Sequence, residues 1–208
     1  MNVALLGATG RTGHLALAEL LSRGHRVTVL VRDPNKLPDP DPTVRVVVGS
    51  STDPTALAEL LDGADAVVSA LGPTATDADL HSRTARLLVH AMPTAGVTRF
   101  IGISGAGIDL PGDRKGTKDR IISAIVRTLG GAVARDKPAE YQVYAKSDLD
   151  WTLVRPPRLL DTPDTGRIGH HPHTPGHWSI PRADLATFLA DVLEDHLYPR
   201  QAPFVWAK

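Results

Sequence analysis

The chain has no cysteine, which excludes disulfides, thiolate nucleophiles and iron–sulfur ligation. That absence is compatible with a reducing cytosol without requiring one. It also has no excess of either charge: 23 Lys plus Arg balance 23 Asp plus Glu. A balanced chain has no general pull on nucleic acid or anionic membrane, so neither is expected as a partner. The opening "MNVALLGATG" lacks a basic leader and its apolar run is broken by glycine, so no signal peptide is expected. No apolar stretch approaches the roughly 20 residues that span a bilayer. The expectation is a soluble, cytoplasmic protein. At 208 residues it is long enough to bury one real core. No repeat, low-complexity tract or linker divides it, so residues 1–208 read as one domain.

Short β-branched runs alternate with amphipathic segments. "NVALLG", "HRVTVLVR", "TVRVVVGS", "ADAVVSALG" and "VTRFIGISGAG" read as five strands. Helical patterns separate them, such as "RTGHLALAELLSRG" and "DPTALAELLDG", the latter with Asp53 as cap and Pro54 at its first position. This alternation predicts a Rossmann-type, doubly wound α/β fold with a mostly parallel sheet and helices on both faces. Farther on, "GTKDRIISAIVRTLGG" and "KPAEYQVYAKSD" read as helices and "WTLVRP" as a sixth strand. "RADLATFLADVLED" reads as a late helix and "APFVWA" as a final strand, while Leu160–Ser179 reads mostly as loop.

"GATGRTG" sets Gly7, Gly10 and Gly13 between the first strand and the first helix. A pyrophosphate needs a tight turn, a close backbone approach and free helix-start N–H groups, and this spacing offers all three. An ordinary tight turn is the plainer reading. The second strand ends "VLVRD", where Arg32 would suit the 2′-phosphate of NADP and Asp33 the ribose hydroxyl of NAD. With Arg11 nearby as a second guanidinium, NADP(H) is preferred and NAD(H) remains open.

"GATGRTG", "VRDP", "SALG", "GISGAG" and "LDWTLVRPPRL" together resemble the atypical short-chain dehydrogenase/reductase superfamily. The likeness is to its NAD(P)H-binding branch, with NmrA-like proteins and biliverdin-IX-beta and flavin reductases. That resemblance implies pyrophosphate contacts at Gly7, Thr9, Gly10, Arg11, Thr12 and Gly13. It implies Arg32 on the adenosine phosphate, Asp53 near the adenine, and Ala70, Leu71 and Gly72 along the path to the nicotinamide ribose. It implies Ser104 as a catalytic or substrate-orienting serine that also touches cofactor. Pro156 and Pro157 would border the nicotinamide, and Arg158 would meet substrate.

Many reductases of this fold carry a Tyr and a Lys four residues apart on one helix face. Counting back from Lys146, the fourth residue is Gln142; Tyr141 is five back and Tyr144 two back. The spacing fails, so both tyrosines read as packing residues. Without that acid, reduction of an isolated carbonyl needs another proton source. A conjugated acceptor such as a flavin, quinone or biliverdin can take hydride and then a proton from solvent. "GHHPHTPGH" holds His170, His171, His173 and His177 but no helical HxxxH spacing, so no metal is expected. It reads as a loop over the cleft, with His171 or His173 as candidates to face substrate. "LPGDRKGTK" reads as a solvated loop or a flap that uses Arg114, Lys115 or Lys118 on an anionic substrate.

The cleft is thus expected between loops in 105–120 and 156–180. The leading reading is an NADPH-dependent oxidoreductase acting on a small conjugated acceptor. The others are a non-catalytic NADP(H) sensor of NmrA type and an epimerase, isomerase or dehydratase with bound nucleotide. A homodimer is allowed, and nothing in the chain argues for a surface.

Overall fold

The computed structural model describes residues 1–37, 41–72, 77–129 and 131–208; for 122, 125–129 and 131–134 it describes the backbone alone. Six strands form one parallel sheet: β1 (Asn2–Leu6), β2 (Arg26–Val31), β3 (Arg45–Val48), β4 (Ala66–Ser69), β5 (Arg99–Ile103) and β6 (Asp150–Val154). Their order is β3-β2-β1-β4-β5-β6, the doubly wound arrangement, with the reversal between β1 and β4. The helices between them are α1 (Gly13–Ser22), α2 (Pro54–Leu61), α3 (Leu80–Thr94), α4 (Thr117–Leu129) and α5 (Gly131–Ala145).

Alternation along the strands divides the core. Val3 and Leu5 face one layer with Leu17, Leu20, Leu185 and Phe188, while Ala4 and Leu6 face the other with Leu57, Leu88, Phe100 and Tyr144. The first layer is closed by α1 and by α6 (Arg182–Glu194).

The Leu160–Ser179 stretch is mostly loop, as read, but it also carries β8 (Ile168–His171) and the ends of β7 (Arg158–Leu160) and β9 (Ser179–Pro181). The final strand β10 (Phe204–Ala207) forms where expected and pairs antiparallel with β8, outside the main sheet. The indole of Trp206 explains the pairing. It lies against Gly169 and Gly176, where an added Cβ would fall 2.4 and 2.0 Å from the ring.

Candidate functional site

Strand register brings the candidate residues to one edge. Leu6 pairs with Leu30 and Ser69, Ser69 with Gly102, and Ile103 with Val154. The strands therefore end almost level, and Gly7, Ala70, Ser104 and Arg155 each follow at the carboxyl edge, where doubly wound sheets bind ligands. The edge is knit by backbone bonds: Ala70 N donates to Leu6 O at 2.9 Å, Ser104 N to Val154 O at 2.7 Å, and Ala106 N to Pro156 O at 2.9 Å.

The glycine loop is built so tightly that side chains are barred. Gly7 has φ +82° and a Cβ there would meet Ala70 O at 2.6 Å; one at Gly13 would meet Gly7 O at 1.9 Å. Gly10 N closes the turn on Gly7 O at 2.9 Å. Thr12 starts α1 but makes no side-chain cap; its hydroxyl instead accepts a hydrogen bond from Arg182. No side chain therefore caps the start of α1, although His14 N already donates to Gly10 O at 3.0 Å. Thr9, Gly10 and Arg11 are exposed along this mouth. Among the described residues, a Cβ at Gly72 or Gly105 would touch nothing within 4 Å.

Arg32 is exposed at the end of β2. Asp33 caps a short 3-10 turn (Pro34–Lys36), accepting a hydrogen bond from Asn35 N at 3.0 Å. Asp53 caps α2 as read from sequence, with Pro54 following it.

The polar centre is on α5, and the sequence pattern did not reveal it. Lys137 donates to Ile103 O at 2.8 Å and to Glu140 Oε2 at 2.9 Å, with both side chains buried. Its ammonium is thereby fixed on the peptide that leads into Ser104. The Ser104 hydroxyl is itself buried, with no hydrogen-bond partner among the described residues. A buried hydroxyl without a partner costs stability.

One residue earlier, Asp136 reaches the start of α3. Its carboxylate accepts from His81 N at 2.8 Å, Ser82 N at 3.1 Å and His81 Nδ1 at 3.0 Å. Burial pushes that carboxyl up, but the bonds from Ser82 and His81 outweigh it and hold it below the ordinary value. His81 Nε2 faces Leu71 O at 3.2 Å. Burial first, then the Lys137 ammonium, pull the imidazole down, against Glu140 and Asp136. Asp136 and Lys137 thus tie α5 to both the Leu71 and the Ser104 sides of the edge.

The tyrosines are packing residues, as expected. Tyr144 stacks on Phe100 at 4.3 Å between ring centres, and burial pushes its phenol well up. Tyr141 meets Trp151 edge-on at 5.7 Å, and Lys146 is exposed. The histidines do not converge: no group of three or more metal-ligating side chains occurs among the described residues. His171 Nδ1 accepts from His173 N and Thr174 N at 3.0 and 2.9 Å, which leaves Nε2 to carry the proton. His170 packs beside Phe188 and bonds Tyr198.

Lys115 does not face substrate. It is buried and donates to Ala106 O, Ile108 O, Asp109 and Ser123, which stitches the loop after β5. Asp113 makes a two-point salt bridge with buried Arg155 at 2.8 and 2.7 Å, and Arg114 N donates to His173 O at 2.8 Å. The two cleft loops are therefore fastened to each other rather than built as a free flap. Arg114 and Lys118 are exposed. Pro156 is buried and Pro157 half-buried. Arg158 N donates to Trp178 O, and its guanidinium lies 5.7 Å from the exposed indole of Trp178. Among the described residues, no helix is long and apolar enough to cross a membrane.

Comparison with known proteins agrees with this geometry. Residues 7–196 match the family described as NAD(P)H-binding. A structure described as an exported protein from Burkholderia pseudomallei is 31% identical, with full coverage of both chains and a TM-score of 0.80. A structure described as an NADH-flavin reductase from Streptococcus pneumoniae is 24% identical over the whole of both chains, with a TM-score of 0.82. The anaerobilin reductase ChuY from Escherichia coli O157:H7 is 21% identical, with 100% of this chain and 97% of that one covered and a TM-score of 0.83. The glycine cradle, the uncapped start of α1 and the unpartnered Ser104 hydroxyl fit a dinucleotide laid across the carboxyl edge. The chain belongs to the family of NAD(P)H-binding proteins.

Proposed function

We propose that the chain is an NADPH-dependent oxidoreductase that passes hydride to a small conjugated acceptor, flavin-, quinone- or biliverdin-like. The observation that carries this reading is the Ser104 hydroxyl at the strand edge, buried and without a partner among the described residues, next in the chain to the Ile103 carbonyl that holds the Lys137 ammonium. It supplies one oriented hydrogen-bonding group where the nicotinamide and acceptor would meet. No tyrosine stands ready to give a proton there: Tyr144 is fully buried in the core and Tyr141 lies against Trp151. A delocalised acceptor tolerates that lack, because its proton can come from solvent.

The bound cofactor would supply the hydride. This chain's residues bind and orient. The glycine loop holds the diphosphate on the start of α1, Ser104 holds the carboxamide or the acceptor, and Pro156 and Pro157 wall the nicotinamide. Arg158 beside exposed Trp178 offers a cation and an aromatic face to a planar anionic acceptor. NADPH is favoured over NADH because Arg32 is exposed at the end of β2 while Asp33 already caps a turn. The reductases named above support the class of acceptor.

The test follows the reduced-nicotinamide absorbance with FMN, a biliverdin and a quinone offered separately, NADPH and NADH in parallel, and Arg32→Ala as control. Acceptor-dependent loss of NADPH, weakened in the variant, is expected. Tight NADPH binding without consumption by any acceptor would overturn the proposal in favour of the sensor or the isomerase.

A further inference from the structure

Four side chains form one chain of contacts across the mouth of the glycine loop. Asp161, just past β7, accepts from Arg11 at 3.0 Å through one carboxylate oxygen and from Arg182 Nε at 2.6 Å through the other. Arg182, the first residue of α6, also donates from its other arm to Thr12 Oγ1 at 3.0 Å. Arg182 is mostly buried, its side chain 13% exposed, whereas Arg11 and Asp161 are 73% and 59% exposed. A fixed guanidinium thus touches the residue that opens α1, and an exposed carboxylate satisfies it.

The arrangement is that of an anion site with an anion of its own in place. The helix start attracts negative charge, two guanidiniums converge on it, and Thr12 spends its hydroxyl on Arg182 rather than on a cap. Carboxylate and diphosphate present the same kind of paired oxygens to a guanidinium fork, but diphosphate carries more charge. An exposed carboxylate bridge is weak, so it yields readily. We propose that Arg182 is a pyrophosphate-binding residue of the dinucleotide site. Asp161 is its internal competitor, holding Arg182 and Arg11 until the cofactor's diphosphate takes its place. Neither the resemblance nor the family match assigns either residue. The inference rests on dinucleotide binding alone and stands whether or not any acceptor is reduced.

The test is titration calorimetry of the full chain with ADP, adenosine 2′-monophosphate, NADH and NADPH. Asp161→Asn should tighten ADP, NADH and NADPH alike, on the order of three- to fivefold, because a screened bridge is removed. It should leave adenosine 2′-monophosphate, which has no diphosphate, unchanged. Arg182→Met should weaken ADP by roughly tenfold, and adding Asp161→Asn to it should recover little of that loss. If Asp161→Asn leaves ADP unchanged or weaker, Asp161 is a structural tether and the proposal fails. It also fails if only adenosine 2′-monophosphate tightens, since that places the arginines on the adenosine phosphate. Should Arg182→Met not fold, Asp161→Asn decides the question alone, with thermal melts as the check on folding.

Discussion

Replacing Lys137 with methionine keeps the length of the side chain and removes its charge and its donors. Two partners lose by it. Ile103 O loses a charged donor at 2.8 Å, and the Glu140 carboxylate, its side chain 6% exposed, loses the ammonium at 2.9 Å. Losing a charged hydrogen bond costs about 1.5–3 kcal/mol. Stranding a buried carboxylate costs about 3–5 kcal/mol. The two losses share one donor and do not add in full, so about 4 kcal/mol is expected. In a chain of this size each kcal/mol moves the melting midpoint by about 2–4 °C, giving a fall of roughly 8–16 °C. Removing both charges together, as Lys137→Met with Glu140→Gln, should recover about half of that loss, leaving a deficit of about 2 kcal/mol because Ile103 O still lacks its donor. That double variant separates fold from function. It is folded yet lacks the ammonium behind Ser104, so NADPH-dependent turnover should stay low, by on the order of tenfold or more. Denaturant unfolding and melting scans on the parent, the single and the double decide it. A single variant within about 1 kcal/mol of the parent, or a double as unstable as the single, would refute the reasoning.

Gly13→Ala should disrupt the glycine loop and abolish measurable NADPH binding by calorimetry. Its Cβ would lie 1.9 Å from the backbone oxygen of Gly7, whereas Gly24→Ala, at φ +80° in open space, should cost only about 1–2 kcal/mol and spare binding. Asp136→Asn should destabilise by about 1–2 kcal/mol at pH 7, since it weakens the cap on α3. The Asp136 carboxyl is held below its ordinary value, so its contribution is present above about pH 4 and is lost as pH falls through the folded-state value. Unfolding curves of parent and variant should therefore converge as the pH is lowered. His196→Gly should raise the melting midpoint or leave it unchanged, because His196 holds φ +52° at an exposed position where a branched backbone is strained.

The first five strands and the glycine loop were legible because each is a local pattern: a β-branched run, a helix period, or glycines at a turn. The polar centre was not. Pro138 invites a helix that starts beside it, yet α5 already runs from Gly131 with Pro138 inside it. Lys137 therefore read as a helix-start residue rather than one turned inward onto Ile103. Asp136 caps a helix through the N–H of His81, 55 residues earlier in the chain, a link that no local window contains. Lys115 read as a loop cation because a charged loop usually is one. Its burial depends on four oxygens, two of them backbone carbonyls, brought together only by the fold. The pairing of β8 with β10 was hidden for a similar reason. It follows from the seating of Trp206 on two distant glycines, not from any apolar run in "GHHPHT".

Asp136 and Lys137 are consecutive, yet they hold opposite sides of the strand edge, Asp136 through His81 to Leu71 and Lys137 through Ile103 to Ser104. One turn of α5 is therefore shared by the Leu71 and the Ser104 sides of the edge, which the proposed function assigns to cofactor and to acceptor. Linkage makes such sharing symmetrical: if a bound dinucleotide shifts that turn and changes the affinity for acceptor by some factor, the acceptor must change the affinity for dinucleotide by the same factor. The effect of dinucleotide on acceptor affinity and the effect of acceptor on dinucleotide affinity would then be two readings of a single coupling free energy carried by two adjacent residues.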